Sequence, residues 1–353
     1  MKSKRGAIEV QFNWIFVLIA GALILLFFVI IVQRQTDVSE EKESIDIRTN
    51  LKTILTSAKQ STNTLFSLQM PKTEITYDCT GYSVKGTNPI KLGESFSPSL
   101  LKSVRRTLYL WSLDWSVPYK TANFQYVVTP DVRYVIVSED QYSAYATKLY
   151  SMLPGNITKE FKQLVEIGGL VDKNNYKVKF IFFGNGIELP SFTNNMENED
   201  VTAIKIDVSV ECESKLDGCG TITFYEKGDS NLLVEKGEHP FLKKESLLGG
   251  IFVDKEEIYE CVMKKAMKRL EMVTNVYINR TDELYNYFIE DGLGYCDIHT
   301  KYFSALNKLN NIASESNVFE ISNIINIYNN AYLENNLKIM NRDLQRASCP
   351  LIY

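Results

Sequence analysis

Histidine is nearly missing from this chain: 353 residues carry only two, His239 and His299. General acid–base chemistry near neutral pH therefore has few candidate groups. The motifs GxxxxGKS/T, GxGxxG, GxSxG and HExxH do not occur, nor does an EF-hand loop. No zinc-type ligand spacing is present either, since the closest cysteines are C-x6-C. No cofactor or metal is expected, and a structural or binding role is expected ahead of catalysis. Proline and glycine are sparse at 9 and 18 residues, which excludes collagen-like and Pro-rich linker architectures. A basic surplus is also lacking. Up to Gln33, Lys2, Lys4 and Arg5 stand against Glu9 for a net +2, and the remainder carries −6. An acidic body without clustered Lys and Arg does not fit a nucleic-acid partner. No repeat of fixed period is visible.

Charge is absent altogether from Trp14 to Val32, WIFVLIAGALILLFFVIIV, a run of 19 residues. As a helix it would rise roughly 28 Å, the thickness of a bilayer core. The sequence predicts a transmembrane helix held in membrane lipid. A cleaved secretory signal would have a shorter apolar core and a small-x-small site, whereas this run leads into QRQTDVSEEKES. No cysteine follows closely enough to take a lipid. Lys2, Lys4 and Arg5 lie on one flank, while the other mixes Arg34 and Lys42 with Asp37, Glu40, Glu41 and Glu43. By the positive-inside rule the N-terminus is cytoplasmic and the bulk lies outside the cell membrane, on a single pass.

The stretch Lys4-Arg5-Gly6-Ala7-Ile8-Glu9-Val10-Gln11-Phe12, running straight into the apolar segment, resembles the class III signal sequence of archaeal type IV pilin-like proteins. The resemblance implies cleavage after Gly6, a mature N-terminus at Ala7 and an apolar helix left uncut for a filament core. The carboxylate that this family places at the fifth mature position is replaced here by Gln11, with Glu9 the nearest acid. More broadly, the chain resembles single-pass archaeal membrane proteins with NWIFVLIAGA-type anchors.

Behind the anchor, Leu51, Leu55, Ala58, Thr62 and Leu65 step by four and three, as on one face of an amphipathic helix. A helical stalk is expected over 33–70, stopping at Pro71. Its stripe would lie against the chain's own head, a second copy or another envelope protein. Beyond it, EITYDC, YSVKG and NPIKLG read as short strands, and 100–115 fits either helix or strand. VRYVIVS and YKVKFIFF are β-branched or aromatic runs flanking two helical stretches, Asp140–Leu153 and Thr158–Val165, which predicts a βαβ unit with parallel, adjacent strands. VTAIKIDVSVE and GTITFYEKG then read as an antiparallel hairpin. From Asp254 the chain reads as three amphipathic helices, of which the second covers about 299–313 and the third about 318–347. The expected fold class is α+β or α/β. Its parts are a basic tail (1–13), the membrane helix (14–32), the stalk (33–70), a mixed-sheet head (71–253) and a helical region packed on it (254–353).

Six cysteines, Cys79, Cys212, Cys219, Cys261, Cys296 and Cys349, all follow the apolar run, as disulfides on the outer side would require. Cys212 and Cys219 flank one turn and suit a hairpin clamp. If the first two C-terminal helices are antiparallel and the third returns, Cys296 meets Cys349, leaving Cys79 for Cys261. Gly184-Asn185-Gly186 ends a predicted parallel strand, where open α/β sheets bind ligands; a plain turn explains the same residues. Asn156 opens the better of two glycan-acceptor triplets, the other starting at Asn279 inside a helical stretch. His239 is expected in a surface loop, His299 near a helix start, and Asp291-Gly292-Leu293-Gly294 as a helix stop. Three roles remain open from sequence: a membrane-anchored envelope protein of structural or binding type, a pilin-like subunit cut after Gly6, and an ectoenzyme with a site near Gly184 to Gly186.

Overall fold

In the computed structural model, residues 5–353 are described except 62, 86, 291–297, 316 and 333–336. The chain divides into two compact units, Met1–Leu51 and Lys52–Tyr353.

The described part of the first unit is helical, the greater share of α1 (Arg5–Gln60). Proline is absent from the helix, and its one interior glycine after the first turn, Gly21, has nothing within 4 Å of a would-be Cβ. Within α1, Val17–Gln35 has a mean hydropathy of 2.6 over 19 residues and none of it is buried. That length and apolarity suffice to cross a membrane. Gly6, Ala7 and Glu9 fall in the helix's opening turns.

The second unit begins with the last turns of α1, where Leu55 and Ala58 are buried and Gln125 Nε2 donates to Leu55 O at 2.6 Å. The helix ends ten residues before the expected stop at Met70. Ser61 to Thr64 are poor helix formers, and Asn63 turns the chain at a φ of 59°, its N–H donating to Ser112 O at 2.8 Å. Leu65 and Leu68 extend the helical spacing but are consumed by a strand.

Strands follow in chain order as β1 (Leu65–Gln69), β2 (Glu74–Tyr77), β3 (Gly81–Val84), β4 (Ile90–Lys91), β5 (Ser95–Phe96), β6 (Leu100–Lys102) and β7 (Thr107–Ser116). Then come β8 (Lys120–Val128), β9 (Val132–Ser138), β10 (Thr158–Gln163), β11 (Lys177–Phe183), β12 (Val201–Val208), β13 (Cys219–Lys227) and β14 (Leu233–Leu242). They form three sheets, ordered β1-β7-β8-β5, β4-β3-β2-β6 and β10-β9-β11-β12-β13-β14. The ambiguous segment before Trp115 is settled as strand: in β7, Leu108, Leu110, Leu113 and Trp115 are buried in near-alternation.

In the six-stranded sheet, β10, β9, β11 and β12 are mutually parallel, and β12, β13 and β14 run antiparallel. Every residue of β9 and β11 is buried. Tyr134, Ile136, Ile181 and Phe183 face the main core, while Val135, Val137, Phe180 and Phe182 face a second one under the loops. The helix α2 (Ser143–Met152) links β9 to β10. The stretch Thr158–Gln163, expected to be helical, is instead strand β10 at the sheet edge, where pairing with β9 overrides the weak β-preference of TKEFKQ.

Helix α3 (Lys243–Phe252) was not legible in the sequence, because Gly249 and Gly250 lower its helix propensity. It is buried from Glu245 to Phe252 and touches β5, β7 and β8 of one sheet and β13 and β14 of another. A Cβ on Gly249 would stand 2.6 Å from the Phe96 ring, so glycine permits this approach. Trp115 Nε1 donates to Leu242 O at 2.9 Å and Tyr126 Oη to Glu245 O at 2.7 Å, fixing the N-terminal end of α3 against β7 and β8. The chain ends in α4 (Glu256–Glu290), α5 (Ile298–Ser314), α6 (Ile321–Tyr332) and α7 (Leu337–Arg346). Ile258, Val262, Ala266 and Leu270 of α4 join the main core, as do Leu306 and Leu309 of α5. The buried face of α6 includes Ile324, Ile327, Tyr328 and Ala331, with Ile321 and Ile325 partly buried at its margin.

Cys79–Cys261 ties the β2–β3 turn to α4, and Cys212–Cys219 clamps the turn before β13. Cys349 is also disulfide-bonded. Cys296 and the predicted stop at Asp291–Gly294 lie outside the described residues.

Candidate functional site

The strand order β10-β9-β11-β12 sends the connection after β9 to one side, to β10, and the connection after β11 to the other, to β12. The crevice at the carboxyl ends of β9 and β11 is where such sheets commonly receive ligands. Gly184, Asn185 and Gly186 stand there, after β11. Directly across, Glu139 follows β9, and its Oε1 accepts from the backbone N–H of Asn185 at 2.7 Å and of Gly186 at 2.9 Å. These bonds hold its carboxyl below the ordinary range. Gly184 adopts a φ of +115°, and a Cβ on it would stand 2.6 Å from Glu139 Cδ. The loop is therefore an anion-accepting turn whose anion is the chain's own side chain. Glu139 was missed from sequence; an acid directly after VRYVIVS was the available signal.

A more enclosed polar site lies at the opposite, amino end of the same strands. A cleft of about 540 Å³ is lined by residues that include Tyr77, Lys177, Asp200, Thr202, Lys227 and Asp254. Lys177 opens β11 and Asp254 follows α3; their side chains are 5% and 4% exposed and Nζ meets Oδ2 at 2.5 Å. Among the described residues no other ion pair has both side chains below a tenth exposed. Ser99 adds its N–H to Asp254 Oδ1 at 2.7 Å and its hydroxyl to Oδ2 at 2.9 Å. Burial pushes Asp254 upward, but the Lys177 charge and the Ser99 bonds outweigh it and leave the carboxyl below its ordinary value. Asp200, one residue before β12, moves the other way: burial raises its pKa although Lys177 and Lys102 oppose the shift. Its carboxylate makes no hydrogen bond or ion pair among the described residues. Lys227 Nζ donates to Thr193 O and Met196 O, both at 2.6 Å. The buried hydroxyls of Tyr77 and Thr202 have no hydrogen-bond partner among the described residues.

The remaining residues singled out from sequence are dispersed. Asn156 is exposed in the turn between α2 and β10, and the Thr158 hydroxyl of its triplet donates to Pro130 O at 2.7 Å. Asn279 is exposed on α4, while Thr281 of its triplet is fully buried. His239 is not in a loop but in edge strand β14, stacked on Phe319 with Nε2 3.3 Å from Glu256 Oε2. Pro240 beside it is tolerated because the strand lies at an edge. His299 falls in α5, and its side chain lies outside the described residues. No group of three or more His, Cys, Asp or Glu suited to a metal ion occurs among the described residues.

No protein-family model, curated protein or solved structure matches this chain.

Proposed function

We propose that this is a single-pass membrane protein that holds an α+β head, stabilised by disulfides, on the outer face of the cell membrane, where it serves a structural or binding role in the envelope. The observation that carries the reading is Val17–Gln35, a 19-residue helical stretch of mean hydropathy 2.6 of which nothing is buried. In water such a surface costs roughly 25 cal/mol for each Å² left exposed, so a lipid environment is its natural solvent. The side of the membrane is inferred from the Lys2, Lys4 and Arg5 cluster and from the disulfides, which persist in oxidising compartments. Protease added to intact cells should digest the head while the protein remains in the carbonate-washed membrane fraction. A head protected until the membrane is dissolved, or a full-length chain recovered free of membrane, overturns the reading.

A second reading is a pilin-like subunit processed after Gly6. It is favoured by the unbroken course of α1 from Arg5 through the apolar segment, which would leave Ala7 at the head of a continuous helix. Mass spectrometry of the mature N-terminus decides it: Ala7 supports the reading, and a start at Met1 or Lys2 rejects it.

A further inference from the structure

We propose that the cleft at the amino ends of β11 and β12 binds a small zwitterion, an amino acid or the end of a short peptide, with its carboxylate against Lys177 and its ammonium against Asp200. The inference concerns the head alone and holds on either side of the membrane. Burying an ion pair costs several kcal/mol per ion in desolvation, which the attraction between the partners only partly returns. Lys177 and Asp254 are buried in a cavity wall rather than in a close-packed core, where apolar residues would serve stability as well. The pair is also unevenly satisfied. Asp254 has two further donors from Ser99, but Lys177 has Asp254 as its only bonded partner among the described residues. An ammonium has three N–H groups, so two remain for an acceptor.

The side chains of Tyr77 and Thr202 line the same space, and their buried hydroxyls, unpartnered among the described residues, become available to that acceptor on a small rotation. Burial drives the Tyr77 phenol far above its ordinary pKa, which keeps its proton in place. An oxyanion beside Lys177 would thus meet an ammonium and two hydroxyls. Val178 pairs with Val201 in register, so Lys177 at the start of β11 and Asp200 immediately before β12 stand one step earlier on adjacent segments. Asp200 is half-buried and unpaired, the complement of a cationic group. Three lysines (177, 227 and 255) face four acids (199, 200, 226 and 254) across the lining, a near balance that suits a ligand carrying both signs better than a simple anion or cation. The cleft's volume of about 540 Å³ exceeds that of a single amino acid and accommodates a dipeptide.

Calorimetric titration of the full chain in detergent with L-alanyl-L-alanine tests the proposal. Binding should weaken at least about tenfold when the amine is acetylated or the carboxylate amidated, since each change deletes one charge-assisted contact. Asp200→Asn should weaken the free dipeptide by a similar factor while leaving the amine-acetylated form, which keeps its carboxylate and already lacks the ammonium, unchanged. Lys177→Gln should also abolish binding, but it leaves Asp254 buried without its partner and can unfold the chain. The half-exposed Asp200 variant, checked by an unchanged melting temperature, is therefore the decisive one. No heat with the free dipeptide overturns the proposal, as does equal affinity for either blocked form or for the Asp200→Asn protein.

Discussion

Lys179 shows how a single side chain can be both structural and sensitive to pH. It is 3% exposed on β11, and its Nζ donates to Gly250 O at 2.8 Å and to Val253 O, closing the carboxyl end of α3. The Phe224 ring centroid lies 5.5 Å away. Burial pushes its pKa down from 10.5 to about 7, with Lys177 pushing the same way and Asp254 opposing. A neutral amine keeps two N–H groups, the number the two carbonyls need. Between pH 7 and 10.5 the unfolded chain therefore holds a proton that the folded chain has released, and stability rises with pH across that window. The contribution is on the order of a few kcal/mol. Above pH 10 the buried phenols Tyr126, Tyr134 and Tyr259, whose pKa values are raised by burial, reverse the trend. Melting temperature should climb from pH 7 towards 10 in the native chain and lose that climb in Lys179→Met. An equal climb in both would show that the lysine is protonated when folded.

At the scale of elements, the two described disulfides should contribute unequally. Cys79–Cys261 spans 182 residues and Cys212–Cys219 spans seven. By loop entropy the first is worth about 5 kcal/mol and the second about 2–3 kcal/mol. The Cys79→Ser/Cys261→Ser variant should lower the urea midpoint more than Cys212→Ser/Cys219→Ser does; the opposite ranking would mean that native-state strain outweighs loop length. Elements became legible where one period dominated. The α4 stripe of Ile258, Val262, Ala266 and Leu270 and the wholly buried β9 and β11 show a single pattern. Thr158–Gln163 reads as helix from local composition and becomes a strand only because β9 offers it an edge. Leu65 and Leu68 continue a helical spacing past the point where Asn63 has already turned the chain. The candidate sites follow the same rule. Gly184 to Gly186 announced a strand end, but Glu139 lies 45 positions before Gly184, and the cleft gathers Tyr77, Lys177, Asp200 and Asp254 from four separate elements. No local spacing encodes such a meeting.

For the whole molecule, the division into two units carries an energetic consequence. Among the described residues the two large buried apolar clusters draw every member from Phe96 onward, Ile75, Tyr82 and Val84 are buried before it, and the last turns of α1 add Leu55 and Ala58. The apolar stretch of the first unit contributes no buried residue. Hydrophobic stabilisation follows the area removed from water, so this apolar stretch adds little to the stability of the second unit and much to the chain's insolubility in water. A chain beginning at Asp37 should therefore partition into the aqueous phase, keep its disulfides and melt within about 2 °C of the full chain in detergent. Differential scanning calorimetry of both chains checks this. A large fall in melting temperature for the shortened chain would show that residues before Asp37 contribute to the folded core, and aggregation at unchanged secondary structure would show that the second unit carries an exposed apolar surface of its own.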